Sequence, residues 1–222
     1  MNALRRTGGY GWRVEVEQLT AWSRVILARQ ETQHILPGHV YSAAELTRQA
    51  EIFKLKATVQ PVAYRFDRRA PEEIARAGGF FPPADKVPLT ILEHSRPKSP
   101  GGNWVSTTTQ EKNKYLLDAV SSTKIPATQT AVESRLAQLL PPQYQGKVRF
   151  VKEAKFSYEY KLTNVLGIDT STLGAIEEAE HVAGSIPVSQ ISHSRRILYL
   201  RIILSEEPYY LEIVHADPWR VF

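Results

Sequence analysis

The chain has 222 residues, 42% of them hydrophobic, and 28 Lys and Arg against 23 Asp and Glu for a formal charge of +5. That is enough for one ordinary core and a small second lobe, and a charge this mild permits nucleic acid as a partner without indicating it. With no cysteine, disulfides, a thiolate nucleophile and cysteine-based zinc sites are excluded, so catalysis falls to oxygen and nitrogen groups.

In chain order, Gly8-Gly9-Tyr10-Gly11 stands where a secretory signal would carry its apolar stretch. Val14 and Val16 alternate with Glu15 and Glu17, after which Leu19, Trp22, Ile26 and Leu27 fall at helical spacing and predict a short amphipathic helix. Ser42 with Glu45 forms a capping box, and Tyr41 with Leu46 a hydrophobic staple, so a helix is expected from Ser42 to near Phe53. Val62 to Phe66 reads as a strand; Pro71-Glu72-Glu73 opens a helix that Gly78-Gly79 stops. Trp104 to Thr107 reads as another strand. Thr108 with Glu111 gives a second capping box, ahead of a helix carrying Tyr115, Leu116, Ala119 and Val120, and Thr130 with Glu133 a third, for a helix ending before Pro141-Pro142. Phe156, Tyr158, Tyr160 and Leu162 then alternate with polar residues as in a half-buried strand, and Arg196 to Leu204 and Tyr209 to Val214 flank Ser205-Glu206-Glu207-Pro208 as a hairpin. The longest apolar run, Ile197 to Leu204, is broken by Arg201 and too short to cross a bilayer.

Three stretches carry candidate chemistry. In Tyr64-Arg65-Phe66-Asp67-Arg68-Arg69, an arginine on a strand that runs into a proline-initiated helix can present a rigid charged fork to a phosphate or carboxylate, although alone it also reads as a surface ion pair. Leu92-Glu93-His94 precedes Trp104-Val105-Ser106-Thr107-Thr108, and each alone reads equally well as structural. Glu177-Glu178-Ala179-Glu180 precedes Ile186-Pro187-Val188-Ser189-Gln190-Ile191. Carboxylates two apart in extended backbone point to one side, so Glu178 and Glu180 could share a pocket; met alone, the cluster is a solvated acidic turn.

In this order, the three stretches resemble the catalytic domains of the cholera toxin and heat-labile enterotoxin A subunits and of the pertussis toxin catalytic subunit, a family of mono-ADP-ribosyltransferases. The likeness runs from Ala63 to Ile191; the one departure in the central triplet is Thr108, where the family has serine. The resemblance implies an α+β fold in which two small packed antiparallel or mixed sheets surround an NAD+ cleft, with flanking helices. Residues 61–222 would then form the catalytic domain, behind a mainly helical extension of residues 1–60 serving delivery, chaperone docking or substrate recognition.

By the same resemblance, the catalytic set is Arg65, Ser106, Glu178 and Glu180, and NAD+ contacts come from Arg65, Asp67, His94, Ser106 and Thr107. Arg65, supported by Asp67, would anchor the dinucleotide, His94 would border the nicotinamide ribose, Ser106 would orient Glu180, and Glu178 would handle an arginine acceptor. NAD+ is consumed as co-substrate and no metal is implied. The partners implied are a target protein, with a secretion chaperone or immunity protein. Lacking the disulfides and signal sequences of the secreted relatives, the chain reads as an effector injected into the target-cell cytoplasm. An NAD+ glycohydrolase, or a basic binding module without turnover, are the alternatives.

Overall fold

The computed structural model describes residues 11–95, 102–113, 135–173 and 179–222, with residues 11–21 described by their backbone. In chain order the elements are α1 (Gly11–Thr32), α2 (Ala43–Ile52), β1 (Ala57–Asp67), α3 (Pro71–Arg76), β2 (Gly79–Phe80), α4 (Ile91–His94), β3 (Val105–Thr108), β4 (Val148–Asp169), β5 (Glu180–Ala183), β6 (Ile186–Pro187), β7 (Ile191–Leu204), β8 (Tyr210–Ala216) and β9 (Arg220–Val221). This is the α+β class expected, and every pairing among the described strands is antiparallel.

The spine of the sheet is β4, 22 residues long. It pairs with β7 from Val148↔Leu204 to Leu162↔Ile191 and with β1 from Asp67↔Tyr158 to Ala57↔Ile168, so residues Tyr158 to Leu162 have partners on both sides. Beyond them β4 meets β5 at Ile168↔Val182, β5 pairs with β3, and β3 returns to β1 at Tyr64↔Thr108. The four strands β1, β3, β5 and β4 thus close on themselves, while β7, β8 and β9 extend the sheet on the far side. A separate two-stranded sheet joins β2 to β6. It depends on Gly79: with φ at 129°, this residue lies so close to β6 that a Cβ would stand 2.2 Å from the Ile186 carbonyl oxygen.

Three large apolar clusters, and a small one of Phe66 and Ile197, fill the layers. One joins Val25, Tyr41, Leu46 and Ile52 to Ile91, Trp104, Ile168 and Val182; a second joins Ala63, Ile74, Phe80, Tyr160, Leu162 and Ile186; a third lies under β7, around Leu140, Leu198, Leu200 and Ile202. Tyr41 and Leu46 do share a core, and the Ser42–Glu45 capping box is present with both of its reciprocal bonds. Pro71 starts α3, and Gly78 follows it with φ at 77°.

Several sequence expectations are corrected. The first helix is long, absorbing the alternating Val14 and Val16, and among its described side chains the buried ones are Val25, Ala28 and Thr32; Trp22, Ile26 and Leu27 are exposed at 66%, 55% and 40%. Period alone locates a helix, but small residues at i and i+3 fit closest to a neighbouring layer. Residue 60 lies within β1 (Ala57–Asp67), and Val25, Ala28, Leu46 and Ile52 of α1 and α2 share a cluster with Ile91, Ile168 and Val182. Thr108 belongs to β3, and its oxygen accepts from the Gln110 amide, while the Glu111 carboxylate is taken by Arg195 at 2.7 Å. The capping box read there is therefore not formed, and the helix through Tyr115 lies outside the described residues, as do Thr130 and Glu133. Residues 135–139 are helical and end before Pro141.

Candidate active site

Strand periodicity places Arg65 and Asp67 on one face of β1, opposite Tyr160 and Tyr158 of β4. The Arg65 guanidinium lies 4.9 Å from the centre of the Phe80 ring. Its Nη1 donates to the Ser106 carbonyl oxygen at 2.6 Å and its Nη2 to Asp67 Oδ2 at 3.3 Å. Arg65 thereby ties β1 to β3 at the point where the four-stranded ring closes.

Asp67 is gripped more firmly by Arg69, whose Nε and backbone N–H donate to Oδ1 at 3.0 Å each and whose Nη2 donates to Oδ2 at 2.9 Å. Burial pushes the Asp67 carboxyl up, but the Arg69 bonds and the Arg65 charge outweigh it and hold it below the usual carboxylate range. Arg69 was not singled out in the sequence; its signal was the third cation of the Arg65–Asp67–Arg68–Arg69 run.

His94 ends α4, a single turn set by a capping box that sequence reading missed. Thr90 Oγ1 accepts from the Glu93 amide at 3.2 Å, and Glu93 Oε2 accepts from the Thr90 amide at 3.0 Å. Arg29 of α1 reaches across to Glu93 at 2.6 Å, and the Trp104 indole N–H donates to the Leu89 carbonyl at 2.7 Å, so the turn is held from both sides. Its His94 Nε2 lies 2.9 Å from Ser106 Oγ and 3.6 Å from Glu180 Oε1.

Glu180 is the first residue of β5, opposite Thr108, and only 6% exposed. Its Oε2 accepts from Thr170 Oγ1 at 2.8 Å. Burial pushes the pKa of this carboxyl up, yet the His94 hydrogen bond and charge, with hydrogen bonds from Thr170 and Ser106, leave it below its ordinary value, ionised at neutral pH. Two further atoms bear on what the site can hold: Arg65 Nε and His94 Nδ1 are buried without a hydrogen-bond partner among the described residues. Buried polar atoms in that condition are rare in a folded chain and fit a polar ligand.

Arg65, Asp67, His94, Ser106 and Glu180 are thus brought together from β1, α4, β3 and β5. Thr107 is not. Successive strand residues face opposite ways, and Thr107 is fully buried on the other side of β3, its hydroxyl donating to the His181 carbonyl at 2.6 Å. Glu177 and Glu178 lie outside the described residues. Chemically, the cluster offers an ionised, nearly buried carboxylate beside a histidine and a fixed guanidinium, a setting suited to stabilising positive charge at a substrate carbon while holding an anionic substrate.

No protein-family model matches the chain, and no curated protein matches it. Among solved structures it is similar to an inactive mutant of the E. coli heat-labile enterotoxin, at 20% identity over 70% of this chain and 75% of that one, with a TM-score of 0.35. It is similar also to a guanine-specific ADP-ribosyltransferase, at 15% identity over 75% and 83% of the two chains and a TM-score of 0.37. A third is a scabin toxin variant from Streptomyces scabies, at 12% identity over 83% and 93% with a TM-score of 0.39. Two of these are toxins and one an ADP-ribosyltransferase. Likeness at this level transfers no residue role. Among the described residues no helix is long and apolar enough to cross a membrane.

Proposed function

We propose that the chain is a mono-ADP-ribosyltransferase toxin or effector that cleaves NAD+ at the nicotinamide–ribose bond and transfers ADP-ribose to a target macromolecule, an arginine side chain of a protein. The observation that supports this reading is the convergence of Arg65, Ser106, His94 and Glu180 through contacts of 2.6, 2.9 and 3.6 Å from four separate elements.

Breaking the bond to nicotinamide leaves positive charge on the ribose carbon, the electronic problem that glycosidases solve with carboxylates. Glu180 is the group to meet it: ionised, fixed in place and shielded from water, it accepts a hydrogen bond from a ribose hydroxyl and faces the developing cation, an effect of about 3 kcal/mol for a well-aimed group. Ser106 and His94 position Glu180, with His94 beside the adjoining ribose. Arg65 holds the diphosphate, with Asp67 and Arg69 keeping the guanidinium aimed. Glu178 orients and deprotonates the acceptor guanidinium, whose ordinary pKa above about 12 otherwise leaves it unable to attack. The partners of this reading are the modified protein and, for an injected effector acting in the target-cell cytoplasm, a secretion chaperone or immunity protein.

Incubating the protein with NAD+ labelled in the adenylate half and a eukaryotic or bacterial lysate tests the proposal. Label on protein, absent with Glu180→Gln and placed on arginine by mass spectrometry, is the expected result. Label on guanine or another group would remove the arginine assignment. Free ADP-ribose without labelled macromolecule would make the protein a glycohydrolase, and no turnover at all would make it a binding module.

A further inference from the structure

Glu180 occupies an awkward place. It follows Ala179, whose φ of 44° is left-handed, and opens β5 at the end of the ring. A carboxylate on the first residue of a strand needs anchoring if it is to be presented in one orientation, since side-chain freedom there costs catalysis steeply. Ser106 alone does not supply it, because its hydroxyl is shared with His94 at 2.9 Å.

The anchor comes from the neighbouring strand, β4, at the same end of the ring. Thr170, directly after β4, is fully buried. Its backbone N–H donates to the Glu180 carbonyl at 3.1 Å and its Oγ1 to Glu180 Oε2 at 2.8 Å, so one residue pins both the main chain and the side chain of the acid. Thr170 is itself held: the Leu173 amide donates to its carbonyl at 2.8 Å, and the Ser171 amide to Asp169 Oδ1 at 2.9 Å. The contact is possible because β5 presses against β4 at Gly167, where a Cβ would lie 2.5 Å from the Val182 carbonyl oxygen.

We infer that Thr170 is a positioning residue for Glu180, occupying one carboxylate oxygen so that the other, the one facing His94, is presented to the ribose. The inference rests on the transferase reading above, and it assigns the division of labour between the two oxygens. Among the described residues, the titratable side chain touching Glu180 is His94 of α4; β3 and the segment after β4 face it with hydroxyls, Ser106 and Thr170. Loss of a hydrogen bond to a carboxylate raises its pKa and frees its rotation.

The test compares Thr170→Val, which keeps the shape and removes the hydroxyl, with Thr170→Ser, which keeps the hydroxyl. NAD+ hydrolysis by the purified chain is measured against pH, and the Glu180 carboxyl is titrated by carbon NMR in glutamate-labelled protein, its signal assigned with Glu180→Gln. The expected result for Thr170→Val is a kcat lower by on the order of 10- to 100-fold at little-changed KM, with the acid limb of the pH profile and the Glu180 titration both moved up. Thr170→Ser restores all three. Should Thr170→Val not fold, Thr170→Ala is read in its place.

A wild-type kcat and an unmoved titration in a folded variant overturn the inference while leaving the transferase reading intact. An NAD+-inert wild type overturns both.

Discussion

Replacing Arg65 by lysine keeps the charge and removes the fork, and so isolates what the fork does. Arg65 Nη1 donates to the Ser106 carbonyl oxygen at 2.6 Å, Nη2 reaches Asp67 at 3.3 Å and the guanidinium faces Phe80 at 4.9 Å. A single ammonium cannot occupy the first two positions together, so at least one bond between charged and polar groups is lost, at about 1.5–3 kcal/mol, and the ring contact contributes about another 0.5–1 kcal/mol. Urea unfolding is expected to show R65K less stable by roughly 2–4 kcal/mol. Activity should fall further than any loss of NAD+ affinity. Ser106 moves when its carbonyl is released, His94 and Glu180 follow through their contacts with its hydroxyl, and a displacement near 1 Å costs about 100-fold in turnover. The assay is NAD+ hydrolysis with kcat and KM separated. An R65K protein within threefold of wild-type kcat and unchanged in urea would refute the idea that this guanidinium locks β1 to β3.

Glu180→Gln should reduce NAD+ hydrolysis by on the order of 100- to 1,000-fold with NAD+ affinity, measured by calorimetry, much less affected. Because the Glu180 carboxyl is held below its ordinary range, the stability drawn from its ionised form is complete above the unfolded value near about 4.3 and is lost as pH falls through the lower folded value; urea titrations from pH 6 down to about pH 3 should show that loss, and E180Q should lack it. Arg195→Met leaves Glu159, fully buried and bonded to Arg195 Nε at 2.6 Å, as an uncompensated charge, and should cost about 3–5 kcal/mol by urea unfolding, with a much smaller cost when Glu159→Met is added. Gly79→Ala drives a methyl to 2.2 Å from the Ile186 oxygen at a φ of 129° and should lower the melting temperature by several degrees, for a cost of about 2 kcal/mol or more.

What could be read from the sequence was what local chemistry dictates. The Ser42–Glu45 box, the proline start of α3 and its glycine stop, and the alternation of Phe156 to Leu162 each depend on residues within a few positions of one another. Arg65, His94, Ser106 and Glu180 were singled out through the family resemblance of three stretches taken in order, and the structure brings the four side chains within contact chains of 2.6, 2.9 and 3.6 Å. Thr170 was not: its importance lies in standing opposite Glu180 across a turn, and nothing in Gly167-Ile168-Asp169-Thr170 marks it. The face that Thr107 takes was hidden for a related reason, since hydroxyls in a Ser-Thr-Thr run look alike until the strand turns alternate members to opposite faces. The buried stripe of α1 failed on the same ground, because the layer opposite decides which residues are covered.

One strand, β4, serves as backbone to both halves of the sheet, with residues Tyr158 to Leu162 bonded to β1 and β7 at once. A chain built this way has no seam along which the end bearing Glu180 could come loose while the hairpin end stays folded. Heat or denaturant should therefore abolish the C-terminal hairpin and the cluster around Glu180 in a single step, and amide protons in that five-residue stretch, shielded from either flank, should be among the last to exchange with solvent.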